Sequence, residues 1–395
     1  MTHQQKVKIG LIGLGNIGSH HANYLKDMDQ VELVGVCDLI PEKADKFASI
    51  CYTRAFYNHQ DLFHDSGLEA VLIAVPHYDH TPIAVEAFQR GIHVLCEKPV
   101  AVHVNDARKM MTAYEQAQKN NPALQFGLMF MERTYPCYVK IKDVLDSGEL
   151  GRLTRATWIN TAWFRTQAYY NSGGWRATWA GEGGGILTNQ CPHTLDMYQW
   201  LFGPPTKISG HAHIGKYHDI EVEDEVTAYF EHQNGMVGHL IVTTAESPGT
   251  NRLEVIGENG KFVFENNKLV FNRNRESMLK FSNETNQSFA TVENWYTEIP
   301  IPKGVSNAHR AVTEAFVEAV LDPKMSLVAY GNEGIHSVMM ANGIMQSSFS
   351  GQVVSTPIDA DAYEAKLKEL IKVSRFVKKA NDTLTSSDMD KSFNK

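Results

Sequence analysis

The apolar run Val7-Lys8-Ile9-Gly10-Leu11-Ile12 leads directly into glycines at 13, 15 and 18. This pattern predicts a strand, a tight turn and a helix. The helix runs from about Asn16 to Lys26, with Ile17, His21, Tyr24 and Leu25 at helical spacing. A second apolar run, Val31 to Cys37, stops at Asp38. Ala70 to Val75 is continuously apolar and stops at Pro76, as a strand buried on both faces should. Thr81 then predicts an N-cap, with Pro82 at the first helical position and Ile83, Ala84, Ala87 and Phe88 as the apolar stripe. Ile92 to Cys96 reads as the next strand. Asn105 opens a helix carrying Ala107, Met110, Met111, Tyr114 and Ala117, and Leu124 to Phe130 is one more strand. Strand and helix alternate over the first ~120 residues, which predicts an α/β, doubly wound parallel sheet.

After residue 130 the rhythm changes. A helix is predicted from Pro136 to Leu145. Strand-like runs then follow without intervening helices: Leu153–Ile159, Lys207–His213, Glu225–Phe230, Val237–Thr244, Leu253–Ile256, Lys261–Phe264 and Lys268–Phe271. Glu258-Asn259-Gly260 and Glu265-Asn266-Asn267 are hairpin turns. Residues His309–Val320 and Gly334–Ser347 read as helices. The expected organisation is a first domain over 1–124, an α+β domain with an antiparallel sheet over 125–377, and a polar frayed tail over 378–395.

Composition narrows the function classes. The apolar fraction of 43% and charged fraction of 21% are those of a globular protein. A net charge of −8 without a basic cluster argues against a nucleic-acid surface. No run approaches the length of a membrane span, and the polar stretch before Lys8 is no signal peptide, so a cytoplasmic protein is expected. The 5 cysteines form no C-x-x-C pair, as suits reduced thiols.

The glycine turn is a seat for a dinucleotide pyrophosphate. Gly13 permits the turn, Gly15 lets the backbone approach the phosphates, and Gly18 lets helix and strand pack closely. The amides of Asn16 and Ile17 open the helix and face the anion. Asp38, about twenty residues past Gly18, is placed to accept hydrogen bonds from the adenosine ribose. Its carboxylate repels a 2′-phosphate, and no basic residue follows before Lys43, which favours NAD over NADP. Val75, Pro76, His77, His80, Glu97 and Lys98 fall at or after the carboxyl ends of parallel strands, where ligands of open α/β sheets bind, and complete the expected cofactor side.

The second chemical segment is Gly183-Gly184-Gly185-Ile186-Leu187-Thr188-Asn189-Gln190-Cys191-Pro192-His193-Thr194-Leu195-Asp196. The glycines admit close approach by substrate or backbone. Asn189 and His193 flank the start of a helix, and Asp196 is expected to anchor His193 or the helix. Upstream, Arg165, Tyr169, Trp175 and Arg176 form an aromatic and arginine cluster suited to sugar surfaces, hydroxyls or carboxylates. Arg133 is a further candidate substrate contact. His211, His213 and His218 with nearby acids match no recognised metal spacing, so no metal is assigned.

Three stretches together, GLGNIG with Asp38, residues 74–99 (AVPHYDHTPIAVEAFQRGIHVLCEKP) and residues 183–196 (GGGILTNQCPHTLD), resemble the Gfo/Idh/MocA family of glucose–fructose oxidoreductases and inositol dehydrogenases. The resemblance implies a Rossmann domain followed by a domain with an open-faced antiparallel sheet. It also implies NAD(P)-linked oxidation or reduction of a sugar or cyclitol hydroxyl, with Lys98 and His193 as the catalytic pair. The family commonly has an aspartate where this chain has Asn189. An amide takes up no proton at neutral pH, so Asn189 is expected to bind substrate hydroxyls. His193 is then the base and Lys98 the stabiliser of the alkoxide, or the reverse. A second class, a glycoside hydrolase or lyase that retains NAD and acts by transient oxidation, would use the same residues. An uncovered sheet face predicts a homo-oligomer, dimer or tetramer.

Overall fold

The computed structural model describes residues 5–65, 67–304 and 307–378. Its first sheet holds β1 (Val7–Ile12), β2 (Val31–Cys37), β3 (Arg54–Phe56), β4 (Ala70–Ile73), β5 (His93–Cys96) and β6 (Phe126–Leu128). Their spatial order is β3-β2-β1-β4-β5-β6, and every neighbouring pair is parallel. Helices α1 (Asn16–Leu25), α2 (Pro41–Cys51), α3 (His59–Phe63), α4 (His80–Gln89) and α5 (Val104–Asn120) accompany these strands. The strand order reverses between β1 and β4, which makes a crevice at their carboxyl ends. The glycine turn and the Val75-Pro76 segment both lie there.

Two helix starts differ from expectation. Residues His77–Asp79 already form a 3-10 turn, so α4 begins at His80 and Thr81 lies inside it instead of capping it. The cause is His80, whose ring nitrogens lie 2.8 Å from the Pro99 carbonyl and 2.9 Å from the Val75 carbonyl, fixing the turn against β4 and the loop after β5. α5 starts at Val104, with the His103 ring accepting the Asp106 amide as its cap.

The second half follows α6 (Pro136–Asp146) with β7 (Leu153–Asn160), α7 (Gln167–Asn171), α8 (Pro192–Phe202), β8 (Lys207–Ile214), β9 (Glu223–Glu231), β10 (Val237–Thr243), β11 (Asn251–Gly257), β12 (Gly260–Glu265), β13 (Lys268–Asn274), α9 (Met278–Glu284) and β14 (Asn294–Ile299). It closes with α10 (Ala308–Leu321), α11 (Gly334–Ser350), β15 (Val354–Ser355) and α12 (Ala360–Val373). The nine strands order as β14-β13-β12-β11-β7-β10-β9-β8-β15. The sheet is mainly antiparallel; the exception is β7 with β10, which run parallel. That mixed pair arises because the chain leaves the sheet after β7 to build the segment ahead of α8, and β10 then docks alongside β7. Asn266 and Asn267 both take positive φ in a two-residue hairpin turn, the geometry their residue type tolerates.

One face of this sheet is buried. Trp158, Phe230, Leu240, Leu253 and Phe262 point inward and share a core with Tyr198 of α8 and Ile344 of α11. Alternate residues such as Arg155, Tyr229, His239 and Glu254 face the other way. Helix α10 returns to the first sheet, where Val312, Phe316 and Val317 join Val7, Ile9, Leu11 and Leu72 in one cluster. The Thr313 hydroxyl lies 2.8 Å from that of Tyr24 in α1. Of the polar tail expected over 378–395, only Lys378 is described; residues 379–395 lie outside the described residues.

Candidate functional site

The glycine turn has the shape its sequence predicts. Gly13 has φ +93°, and a Cβ there would meet the Ala74 carbonyl oxygen at 2.4 Å. A Cβ on Gly18 would stand 1.9 Å from the Gly13 oxygen, so helix and turn touch backbone to backbone. A Cβ on Gly15 would meet nothing within 4 Å; the space above it is open. Gly15 also begins α1 without any side-chain cap, leaving the first-turn amides, including those of Asn16 and Ile17, for an incoming anion. Asp38 closes the turn from β2: one carboxylate oxygen accepts the Leu14 amide at 2.8 Å and the other the Ile40 amide at 2.9 Å. These features fit a dinucleotide. The residues that would hold it are Gly13 to Gly18 at the phosphates and Asp38 at the ribose.

Lys98 follows β5 and is half-buried. Its ammonium donates to the Asn189 carbonyl at 2.8 Å, bridging the two halves of the chain. Burial pushes its pKa down, opposed by the charge of Glu97 and reinforced by Arg176. Asn189 lies one helical turn ahead of His193, which sits at the start of α8 and is 5% exposed. The His193 Nδ1 is buried without a partner, and the ring packs edge-on to Phe130. Burial, and after it the Lys98 charge, holds the imidazole well below the usual histidine range. His193 is therefore neutral at pH 7.

Around these two lies the cluster expected from sequence. Tyr169 is its hub: its hydroxyl accepts from Arg176 Nη1 at 2.6 Å and from Gln190 Nε2 at 2.9 Å. The guanidinium groups of Arg165 and Arg176 lie over its ring, and Arg176 lies over Trp175 as well. Trp175 meets His77 edge-on at 5.3 Å, so His77 packs against this cluster. Its Nδ1 lies 3.2 Å from the Glu182 carbonyl.

Several expected contacts have other partners. Arg133 is buried and bidentate to Asp196 at 2.6 and 2.8 Å, and it also reaches Glu333 and the Val328 carbonyl. These four bonds hold its side chain inside the fold. Asp196 anchors Arg133 and Gln199, not His193. Glu97 turns inward, 2.7 Å from His21 Nε2, while its other oxygen accepts the Lys98 amide; it supports the Lys98 backbone instead of lining the cofactor crevice. His80 is fully buried between the two carbonyls that fix α4. The Asn189 amide donates to Glu182 and accepts from the Tyr169 hydroxyl at 3.4 Å, so its side chain is occupied within the protein. Of the glycine triplet, Gly185 exists for backbone approach: a Cβ there would lie 2.0 Å from the Glu223 carbonyl oxygen.

Sequence reading gives no catalytic or binding role to three acids that the fold buries. Glu182 accepts from Asn189 and the Ala177 amide and lies 3.9 Å from Arg176. Glu223 receives the Gly185 and Leu187 amides at 2.9 and 3.0 Å. Glu132 is 4% exposed, and its Oε2 has no partner. Burial, aided by Asp196 and opposed by Lys98, pushes its pKa up to about 8. None has a sequence signal beyond its neighbours, because burial of an acid is decided by the fold. Of the histidines in the 211–218 stretch, His218 Nδ1 lies 2.9 Å from Asp224, and His213 pairs with Glu225. Among the described residues no helix is long and apolar enough to cross a membrane.

Comparison with known proteins agrees with this architecture. Residues 7–122 match the family model described as an oxidoreductase family with NAD-binding Rossmann fold, and residues 138–263 match the GFO/IDH/MocA C-terminal domain. The inositol 2-dehydrogenase of Salmonella typhimurium (strain LT2) is 36% identical over 152 residues, which are 37% of this chain and 43% of that protein. The match thus spans less than half the length of that relative. The scyllo-inositol 2-dehydrogenase (NAD(+)) of Bacillus subtilis (strain 168) is 26% identical over 275 residues, 66% of this chain and 73% of that one. In fold, the chain resembles the WlbA dehydrogenase from Bordetella pertussis, solved in complex with NADH and UDP-GlcNAcA. The TM-score is 0.74 at 24% identity, covering 90% of this chain and 100% of that one.

Proposed function

Because the chain belongs to the Gfo/Idh/MocA oxidoreductase family and carries its NAD-binding Rossmann domain, we propose that it is an NAD-dependent dehydrogenase acting on a ring hydroxyl of a sugar, glycoside or cyclitol. The observation that carries this reading is the Lys98 ammonium bound to the Asn189 carbonyl, one turn from the unpartnered nitrogen of His193. It supports joint action by the amine that follows β5 and the imidazole at the start of α8. The relatives named for inositol oxidation point to the same substrate chemistry.

A bound NAD would supply the hydride acceptor for the carbon bearing the reacting hydroxyl. The protein supplies the rest. His193 is neutral and has an unpartnered nitrogen, so it takes the hydroxyl proton. Lys98 donates a hydrogen bond and positive charge to the developing alkoxide, in a site too dry for water to do so. A proton arriving on His193 beside Lys98 meets like charge, and the alkoxide between them offsets it. Asn189 acts as a positioning residue for Lys98 through its carbonyl, with its amide fixed by Glu182. Trp175, Tyr169, Arg165 and Arg176 bind and orient the ring. Asp38 favours NAD over NADP: both its oxygens accept backbone amides, and its neighbours Leu39 and Ile40 are exposed and apolar, offering no cation for a 2′-phosphate. The outward face of the second sheet supports assembly into a dimer or tetramer.

A panel of pyranoses, glycosides and cyclitols with NAD or NADP tests this reading. Reduced cofactor is expected with NAD, together with an oxidised ring product in the same wells. Released sugar without accumulated NADH would replace it with the transient-oxidation class. No reaction across the panel, with NAD bound, would remove the reading.

A further inference from the structure

His21 sits in α1, one turn beyond the glycines of the phosphate seat, and is wholly shielded from solvent. It takes no part in the proton transfer described above. Its Nε2 lies 2.7 Å from one oxygen of Glu97, across 76 positions of sequence. The other Glu97 oxygen accepts the Lys98 backbone amide at 3.2 Å. Glu97 is itself tied to β4, where its amide donates to the Ile73 carbonyl at 2.9 Å. An imidazole on the cofactor helix is thus two hydrogen bonds from the backbone of the reactive amine.

Glu97 is a carboxylate. Burial favours its neutral form, but the His21 hydrogen bond and charge, followed by His309 and Lys98, bring its pKa down to about 2. A carboxylate only accepts, so His21 Nε2 is the donor. Without that donor a buried anion is stranded, and such a group moves or takes up a proton. Burial also pushes the Lys98 ammonium toward its neutral form, and the Glu97 charge opposes this. His21 therefore reaches Lys98 in two ways, through main-chain placement and through a neighbouring charge.

The imidazole is braced on its far side. Its Nδ1 lies 2.6 Å from the Tyr24 hydroxyl, which lies 2.8 Å from that of Thr313 in α10. Thr313 donates to the His309 carbonyl at 3.0 Å, and the His309 ring meets His21 edge-on at 5.6 Å. Turning the His21 ring breaks bonds at both of its nitrogens, and a buried polar network of this kind holds one geometry.

We propose that His21 is a positioning residue for Lys98: through Glu97 it fixes where the ammonium stands and keeps a counter-charge beside it, so that the helix seating the cofactor also sets the reactive amine. The turnover measurements below rest on the dehydrogenase reading; the labelling measurements do not.

Turnover with NAD is measured for full-length His21→Leu, His21→Gln and Glu97→Gln, with a sugar or cyclitol that the wild type oxidises. In parallel, acetylation of Lys98 by acetic anhydride at pH 8 is followed by peptide mass. His21→Leu is expected to lower kcat about ten- to a hundredfold while KM for NAD and for the sugar stays within about threefold. His21→Gln keeps a side-chain donor for Glu97 and is expected to recover most of that loss. Lys98 is expected to acetylate at least about twofold faster in His21→Leu and Glu97→Gln than in the wild type, because the neutral amine reacts and its counter-charge is gone. Should His21→Leu not fold, Glu97→Gln carries both measurements. A kcat within about twofold of wild type in His21→Leu, no recovery in His21→Gln, or Lys98 labelling unchanged in both other variants would overturn the proposal. Labelling that depends on His21 in a wild type that oxidises no sugar keeps the proposal and removes the dehydrogenase reading instead.

Discussion

Lys98 donates its ammonium hydrogen bond to the backbone carbonyl of Asn189, not to a side chain. The link therefore survives substitution at Asn189, and the lysine is aimed by main-chain geometry. Lys98→Ala is expected to lower kcat by about 10²–10³-fold, as loss of a single oxyanion donor does. His193→Ala is expected to cost about 10²–10⁴-fold, the range for a general base. Both variants keep NAD binding. Stopped-flow turnover alongside cofactor fluorescence titration checks the two together, and near-normal kcat in either removes that residue from its role.

Gly15 and Gly18 separate cofactor binding from folding. Gly15 has ordinary φ and open space above it, so Gly15→Ala folds with nearly unchanged stability but binds NAD about tenfold or more weakly, because its methyl occupies the phosphate seat. Gly18→Ala drives a methyl into the Gly13 carbonyl and lowers the melting temperature. Calorimetry with NAD titration distinguishes them. Equal loss of stability in both would show that Gly15 is a packing residue.

The buried Arg133–Asp196 pair is a folding element. Arg133→Met strands Asp196 without its bidentate partner, at a cost of about 3–5 kcal/mol. Arg133→Lys recovers little, since an ammonium cannot satisfy Asp196 and Glu333 in the same fork. Urea unfolding measures this. A large rise in KM with unchanged unfolding midpoint would instead return Arg133 to the substrate.

Glu132 carries a pH signature. Its pKa lies at about 8 in the folded chain and near 4.5 when unfolded, so the folded state holds the extra proton between those values. Stability from this group is complete below about pH 4.5 and is lost as pH rises toward 8. Glu132→Gln removes the loss and is expected to raise the melting temperature at pH 8 by several degrees, with little change at pH 5. His193 and His77 have the opposite sign. Both are held well below the ordinary histidine value by burial, so their contribution is present above pH 6.5 and fades as pH falls. Thermal melts of the wild type and Glu132→Gln from pH 5 to 8 read both slopes; parallel curves would refute the assignment to Glu132.

The first sheet was legible because its signals are local. β1, β2 and β4 are mainly apolar runs, and the turns after β1, β4 and α4 carry a glycine or a proline. The Gly13-to-Asp38 geometry follows from the same short stretch. The short strands β3, β14 and β15 escaped notice, since two to six residues at a sheet edge depend on a neighbour to pair with. The parallel pairing of β7 and β10 was equally hidden: no residue in either strand encodes direction. The cluster at Tyr169, Trp175 and Arg176 was visible as composition, but its partners were not. Arg133 and Arg176 look alike in sequence. One meets Asp196 across 63 positions and is held by it, whereas the other keeps a buried N–H unmatched.

The return of α10 to the first sheet sets the order in which the chain becomes stable during synthesis. Val312, Phe316 and Val317 complete a cluster begun by Val7, Ile9 and Leu11. When only the amino-terminal half has left the ribosome, this sheet face is covered by α1 and α2 but lacks the α10 side chains. It waits for nearly the whole polypeptide to arrive, and contacts this distant in sequence form slowly. Until then the patch that α10 will cover is apolar surface open to association with other chains.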